Sequence, residues 1–392
     1  MTTEGKVLYV ARFVPAYRIP ILNQLNEALD GNLVVCAGEP PHASSVLKAN
    51  KSQTELFERI QLKNHFWWGD KVHFQNFEGV FERYPNPRVV LAEDSPRSIS
   101  LPFLLRRARA NGAGCVLWGI FYSVHRPFSE RHPMQFFRLR MVRRVHACAC
   151  YTKSVRDRLS RFVDPSRLFL AQNTLDTRTL FALRRDFERE GRAVIRERLG
   201  INKDDAVLVF VGQLVPRKGT RELLDVFQRI QSDTSATLLV IGDGPDLELM
   251  KEIVIQKELR NVRFLGALPL FEDSCPYIYA ADVMVIPGYV GLVANHSFGL
   301  GVALVTMEAP GELPFHGPEV ESVIDGENGF ITKRTVTSLE SGVRRVLKNR
   351  DIYSENAFRY AEKHLTSEGM VQGLVDAIDF ADTNRKARLA IV

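Results

Sequence analysis

The sequence predicts two doubly wound α/β domains, each a parallel sheet with helices on both faces, and three observations carry that expectation. Short apolar runs bounded by glycine alternate with segments of helical periodicity, the pattern of parallel strands buried on both sides. A chain of 392 residues, 45% hydrophobic and 25% charged, suits two domains of ordinary size. One complete unit is legible in full. Residues 207–211 are a continuous apolar strand closed by Gly212; Arg217, Lys218 and Gly219 sit in the following loop; Leu223, Leu224, Phe227 and Ile230 then mark one face of a helix. Two cations and free N–H groups at a helix N-terminus suit a phosphate, although a solvated turn with two surface cations accounts for the same residues.

In the N-terminal half, residues 6–11 read as the first strand, with Ile19, Ile21, Leu22, Leu25 and Leu29 on a helical face behind it. The loop between them, Arg12 to Arg18, has no GxGxxG. Tyr17 and Arg18 either line a ligand cleft or pack their own loop. Further strands are expected at 33–36, 88–92, 114–118 and 147–151, and helices at 98–109 and 133–145. Ligands of such sheets gather at the carboxyl ends of the strands, here Ala11, Glu93 and Asp94, Gly119, Thr152 and Lys153. Residues 39–62 lack periodicity and read as a mobile excursion. His65, Phe66, Trp67, Trp68, Phe74, Phe77 and Phe81 form an aromatic-rich segment whose last three members share helical spacing, either core or an acceptor platform.

In the second half, 237–241 and 261–266 are strands, with Gly242-Asp-Gly-Pro245 and a helix through Leu247, Met250, Val254 and Leu259 between them. Residues 351–365 and 367–382 read as two terminal helices. The domains expected are therefore 1–178, a linker region 179–201, a second domain 202–350, and C-terminal helices 351–392.

Charge is distributed unevenly. Residues 1–178 carry a net +11 and residues 179–392 a net −5 within the total of +6. No recognition-helix, zinc or RNP signature points to nucleic acid, so an anionic membrane surface or an anionic substrate fits the basic half better. Arg126, Arg131, Arg138, Arg140, Arg143 and Arg144 concentrate it, either as a membrane-facing stretch or as an ordinary solvated helix face. The five cysteines form neither a CxxC pair nor a secreted framework and read as buried thiols. No His cluster has metal-ligand spacing, so no metal is expected. With no membrane-length apolar run and no signal-peptide pattern, a cytoplasmic protein is expected.

The strand–loop–helix at 207–230, the Gly242-Asp-Gly-Pro245 turn, the strands at 261–266 and 281–287, and Gly317-Pro-Glu319 leading to Gly329-Phe330, taken in that order, resemble the nucleotide-sugar-binding domain of glycosyltransferase family 4. These are retaining enzymes of the two-domain GT-B fold, with two Rossmann-like domains facing a cleft and the last helix crossing back to the first domain. Asn173-Thr-Leu-Asp176 resembles the family's segment at the exit from that domain. The resemblance implies that Lys218 is the phosphate-binding lysine. Gln213 stands where the family has an Arg, a loss for which Arg217 either compensates or, pointing to solvent, does not. The family's two glutamates, eight residues apart, are both missing: the second position falls on His296 and the first in the 288–291 turn. Gly212, Gly291, Leu292, Asn295, His296 and Ser297 then remain as N–H donors or short polar groups for the donor. Arg263 lies in the segment near the base. Glu319 matches an acidic position facing the cleft, with Glu312 and His316 as weaker neighbours, and His125 is the nearest histidine to a family position at the donor sugar.

The activity so implied is transfer of a sugar from a UDP-sugar or GDP-sugar to a saccharide or polyprenyl-linked acceptor in cell-surface polysaccharide or glycoconjugate assembly. Catalysis would rest on Lys218, Glu319 and His125 without metal or other cofactor, at the inner face of the plasma membrane. The missing acids keep a second expectation open, a non-catalytic GT-B protein that binds a nucleotide sugar or a partner transferase.

Overall fold

The computed structural model describes residues 5–40, 54–68, 72–124, 126, 128–268, 270–311 and 315–385. The chain divides into two compact units, Met1–Ser123 with Phe128–Asp176 and Ser367–Val392, and Val124–Pro127 with Thr177–Thr366.

The first unit is built on seven parallel strands in the order β3-β2-β1-β6-β7-β8-β9: β1 (Val7–Ala11), β2 (Leu33–Ala37), β3 (Glu58–Gln61), β6 (Val89–Glu93), β7 (Gly114–Gly119), β8 (Ala147–Cys150) and β9 (Leu168–Leu170). Alternation along β1 decides what packs where. Leu8 and Val10 point to a core shared with α2 (Glu78–Arg83), α3 (Leu101–Ala110), α4 (Pro133–Arg143) and α5 (Lys153–Leu159). Val7, Tyr9 and Ala11 point to the opposite core, built with α1 (Ile19–Ala28) and α14 (Ser367–Thr383). Close approach of α14 needs Gly373, where a Cβ would lie 2.0 Å from the carbonyl oxygen of Leu170. Arg88 on this sheet forms ion pairs with Asp379 and Asp382 of α14.

The aromatic segment is a hairpin rather than a helical stripe. Strands β4 (Asn64–Trp67) and β5 (Val72–Gln75) pair antiparallel with His65 opposite Phe74 and Trp67 opposite Val72. Aromatic residues are strand formers. Phe74 therefore lies on β5, while Phe77 caps α2 and meets Phe81 edge-on at 5.9 Å, so the helical spacing holds for Phe77 and Phe81 and not for Phe74. Of the expected excursion at 39–62, residues 58–61 are the edge strand β3, and 41–53 lie outside the described residues. The helix expected from Ser98 begins only at Leu101. Ser98 Oγ accepts from Leu101 N at 3.2 Å and Ser100 Oγ from Gln75 N at 2.8 Å, which holds the intervening turn out of the helix.

The second unit has six parallel strands in the order β12-β11-β10-β13-β14-β15: β10 (Ala206–Val211), β11 (Ala236–Ile241), β12 (Val262–Gly266), β13 (Val283–Val285), β14 (Ala303–Met307) and β15 (Gly329–Thr332). Its helices are α6 (Thr177–Glu190), α7 (Arg192–Arg198), α8 (Thr220–Gln231), α9 (Leu247–Gln256), α10 (Phe271–Ala280), α11 (Val293–Gly299), α12 (Val336–Lys348) and α13 (Arg350–His364). The stretch 179–201, expected as a linker region, is the body of α6 and α7, and the last two helices part: α13 lies in this unit and α14 in the other. Arg192 and Arg196 of α7 converge on Asp282 at 2.8 Å each, and Asp282 Oδ2 accepts from Val207 N at 2.7 Å, so one carboxylate fixes α7 to the start of β10.

All five cysteines are buried and unpaired. Burial pushes the Cys36, Cys115 and Cys150 thiols up to about 12 and raises Cys148 and Cys275 as well, which keeps them protonated and unreactive.

Candidate functional site

In the second unit the carboxyl end of β10 leads through Gly212 into a loop that ends in a 3-10 turn, Pro216–Lys218, before α8. Gly219 joins the two at φ +74°, and a Cβ there would lie 2.7 Å from Pro287 Cβ and 2.9 Å from Gly288 N. Only glycine meets both demands. The neighbouring loop after β13 is bonded to this turn: Gly288 N and Tyr289 N donate at 2.9 Å to the carbonyls of Lys218 and Arg217.

Two cations are organised around Tyr289. The Arg217 guanidinium lies 3.6 Å from the centre of the Tyr289 ring. The Lys218 ammonium donates to the Tyr289 carbonyl at 2.8 Å and lies beside Gly212, whose Cβ, if present, would be 3.4 Å from Nζ. Lys218 is half-buried. Burial first, and then the charge of Arg217, pull its pKa down to about 8 against the opposing effect of Glu319. Glu319 itself is buried. A methyl on Gly317 would meet its Oε2 at 2.5 Å and the Tyr289 hydroxyl at 3.0 Å, which brings that carboxylate and that phenol to the same face of one glycine.

His316 is the brace of this arrangement. Its Nδ1 accepts from Val290 N at 3.2 Å and its Nε2 lies 2.9 Å from the Met307 carbonyl, a pairing that suits one neutral tautomer. Burial lowers its pKa to about 4, and Arg334, Lys218 and Arg217 push in the same direction. Arg334 is thus a third cation of the neighbourhood, as Tyr289 is its organising ring. A tyrosine between Gly288 and Gly291, directly after a strand, was the available signal for the latter.

The site residues expected from the sequence divide. Gly212, Arg217, Lys218 and Glu319 come together with Tyr289, and Arg217 is stacked on that ring while remaining exposed. Gln213 is exposed on the same loop, and Gly291 and Leu292 occupy the turn ahead of α11. Helix α11 starts at Val293, so Asn295 and Ser297 lie within it and are buried. Ser297 is removed from the candidates: its hydroxyl donates to the Val302 carbonyl at 2.6 Å, closing the end of α11. His296 stacks on Phe271 at 5.5 Å and is held neutral, its pKa lowered to about 4 by burial. Arg263 is removed as well. It donates at 2.8 Å to the Leu199 carbonyl, in the connection that feeds the amino end of β10, whereas Gly212 and Lys218 lie beyond its carboxyl end. His125 and Glu312 lie outside the described residues.

The first unit holds its own cluster at the carboxyl ends of its strands. Glu93 accepts from the Tyr9 hydroxyl and from Arg12 N, both at 3.1 Å, and burial raises its pKa. Arg18 is 4% exposed. It donates to Asn173 Oδ1 at 2.9 Å, approaches Met370 Sδ at 3.4 Å and lies 4.8 Å from the centre of the Trp118 ring. Of the two loop candidates, then, Arg18 is a packed cation and Tyr17 is the exposed one.

Comparison with known proteins finds a family match over part of the chain. Residues 191–364 match the family described as glycosyl transferases group 1. The chain is 31% identical over 183 residues to a D-inositol 3-phosphate glycosyltransferase of Geodermatophilus obscurus, 43% of this chain and 39% of that one. It is 27% identical over 165 residues to an uncharacterized glycosyltransferase of Methanocaldococcus jannaschii, 41% and 40%. The aligned stretches thus span about two fifths of these curated relatives. Likeness of fold extends over nearly the whole chain. HepE of Anabaena, solved in complex with UDP, superposes with a TM-score of 0.67 at 15% identity over 95% of this chain and 99% of that one. A glycosyltransferase of Rickettsia africae does so with 0.70 at 11% identity over 98% and 100%. The fold of this chain is GT-B, two parallel-sheet α/β domains.

Among the described residues no group of His, Cys, Asp and Glu could hold a metal ion, and no helix is long and apolar enough to cross a membrane.

Proposed function

We propose that the chain is a retaining glycosyltransferase that moves a hexosyl or related sugar from a UDP-sugar or GDP-sugar to a saccharide or polyprenyl-linked saccharide during polysaccharide or glycoconjugate assembly. The observation that carries this reading is the Lys218 ammonium. Only one of its three donors meets an acceptor among the described residues, Arg217 crowds it, and it sits at the head of α8. A diphosphate fits such a place. It would take the remaining donors of Lys218, the Arg217 guanidinium and the amide groups of the first turn of α8.

Bond breaking at the anomeric carbon puts charge on the leaving diphosphate, and fixed cations there stabilise it without a divalent ion. Transfer is therefore proposed to be metal-independent, with Glu319 beside Tyr289 receiving sugar hydroxyls and the donor phosphate helping to deprotonate the acceptor. The match of residues 191–364 to glycosyl transferases group 1 and the UDP bound by HepE support a nucleoside diphosphate donor. A polyprenyl-linked acceptor would be met at the anionic cytoplasmic face of a membrane.

One observation favours a second reading. The two acidic positions of the family are absent, and His296 and Ser297 are occupied in packing; a non-catalytic nucleotide-sugar-binding protein would need neither acid. Thermal unfolding with UDP, GDP and ADP, together with donor hydrolysis, separates the readings. Binding raises the unfolding temperature as RT ln(1 + [L]/Kd). A diphosphate-dependent rise with slow sugar release to water supports the transferase, a rise with no hydrolysis supports the second reading, and no rise removes both.

A further inference from the structure

The hairpin β4–β5 extends into a small three-stranded surface, because His73 bridges in parallel to Ser98 through His73 N to the Arg97 carbonyl and Ile99 N to the His73 carbonyl, both 3.0 Å. Pleating then sorts its side chains. His73, Gln75 and Ser98 face inward and are buried. Opposite them, on the outward face, lie His65, Trp67, Val72, Phe74, Arg97 and Ile99. The exposures are unusual for side chains of such size: Ile99 47% and Trp67 45% on this side, and Trp68 at the hairpin end 77%. Helix α3 begins two residues after Ile99 and continues the surface with Phe103, 59% exposed, followed three and four residues later by exposed Arg106 and Arg107. From Ser95 to Ser129 the chain has no Asp or Glu.

Projecting tryptophans next to apolar side chains, rimmed by arginines, match the chemistry of a bilayer interface. Indole rings settle among headgroups, aliphatic and phenyl groups reach the acyl boundary, and guanidinium groups meet lipid phosphates. We propose that this surface, the outward face of strands β4 and β5 with Trp68, Ile99 and the first two turns of α3, docks the protein on an anionic phospholipid bilayer. The inference rests on the membrane-presented acceptor of the proposed function, but its surface is not the arginine-rich stretch around α4 that the sequence singled out. There Arg138 is buried in an ion pair and is unavailable to lipid.

The protein itself supplies the probe. Of its three tryptophans, Trp118 is buried, so a change of indole emission reports on Trp67 and Trp68. Full-length protein is mixed with vesicles of phosphatidylglycerol or of phosphatidylcholine, free of any acceptor, and followed by fluorescence and co-sedimentation. Binding to phosphatidylglycerol with a blue-shifted emission, at least tenfold weaker to phosphatidylcholine and weakened by salt, is the expected result. The Trp67→Ser, Trp68→Ser pair and the Arg106→Gln, Arg107→Gln pair should each weaken binding at least tenfold, with unchanged unfolding temperature and unchanged UDP binding. Equal binding to both vesicles, binding unaffected by either pair, or a blue shift given by soluble oligosaccharides in place of vesicles overturns the proposal. Because UDP binding is read in the same samples, failure here is distinguishable from failure of the transferase reading.

Discussion

Arg138 Nε lies 2.9 Å from both carboxylate oxygens of Asp94, and both side chains are almost wholly shielded from solvent. Phe121 N donates to Asp94 Oδ2 at 2.9 Å and Arg138 Nη1 to Gln135 Oε1 at 2.9 Å, so neither charge is left with the other as its sole partner. The pair ties α4 to the end of β6. Removing one partner leaves an uncompensated buried charge, which costs about 3–5 kcal/mol. Arg138→Glu should lower the stability of the first unit by at least that much in urea denaturation, whereas Arg140→Glu and Arg143→Glu, on exposed positions of the same helix, should stay within about 0.5 kcal/mol of wild type. Equal effects at 138 and 140 would contradict the burial.

Lys218→Ala should reduce sugar transfer by about 10² to 10³, the usual loss when a preorganised electrostatic donor is removed. Activity within about threefold of wild type refutes the assignment. EDTA should leave the wild-type rate unchanged, and restoration by a divalent ion after its loss would refute the cation-only account of the leaving group.

Affinity for UDP should depend on the charge of Lys218. With its pKa lowered to about 8 in the free protein, the ammonium is present at pH 7 and lost above pH 8. Binding should therefore weaken roughly tenfold per pH unit beyond that point. Lys218→Arg, whose guanidinium stays protonated, should flatten the profile. In the absence of nucleotide the sign reverses. The unfolded lysine still holds its proton between about pH 8 and its ordinary value while the folded one does not, so Lys218 contributes stability that rises with pH through that window.

Acid should unfold both units through their histidines. His73 and His146 in the first unit and His296 and His316 in the second are each lowered to about 4, in every case chiefly by burial. Between pH 4 and 6.5 the unfolded chain takes up protons that the folded one refuses, so their contribution to stability is full above about pH 6.5 and is lost on acidification. Each would add about 1.4 kcal/mol per pH unit to the slope inside the window. Glu93 and Asp282, raised by burial, act in the opposite direction. Chemical denaturation from pH 7 to pH 4 should show a net uptake of more than one proton, and a flat profile would contradict the neutral, buried state of these rings.

The parts of the fold that repeat were legible in the sequence. Val207–Val211 as an apolar run, Gly212 after it and the 3.6-residue period of Leu223, Leu224, Phe227 and Ile230 are local patterns, and local patterns decide strand, turn and helix. What failed depended on distant residues. Nothing near Phe74 reveals that it pairs with His65 across a hairpin, and nothing near Arg263 reveals that the Leu199 carbonyl holds it. Arg138 looked like its arginine neighbours until Asp94, forty-four positions away, met it. Lys218 was accessible from its place in a loop, but Tyr289, which both Arg217 and Lys218 approach in space, is seventy-one residues from the latter.

Helix α14 has a consequence for how the chain is made. Met370, Leu374, Ala377 and Ile378 complete one core of the first unit, yet they are translated only after the whole of the second unit. The first half of the nascent chain emerges with Val7, Leu91 and Val116 lacking their cover, while the contiguous segment 177–366 already has every strand of its own sheet. Synthesis and completion therefore run in opposite orders: the unit translated first finishes last. A premature stop ahead of Ser367 would strike the amino-terminal unit and spare the carboxyl-terminal one, and a circular permutation that places α14 before β1 would let the first unit close during translation.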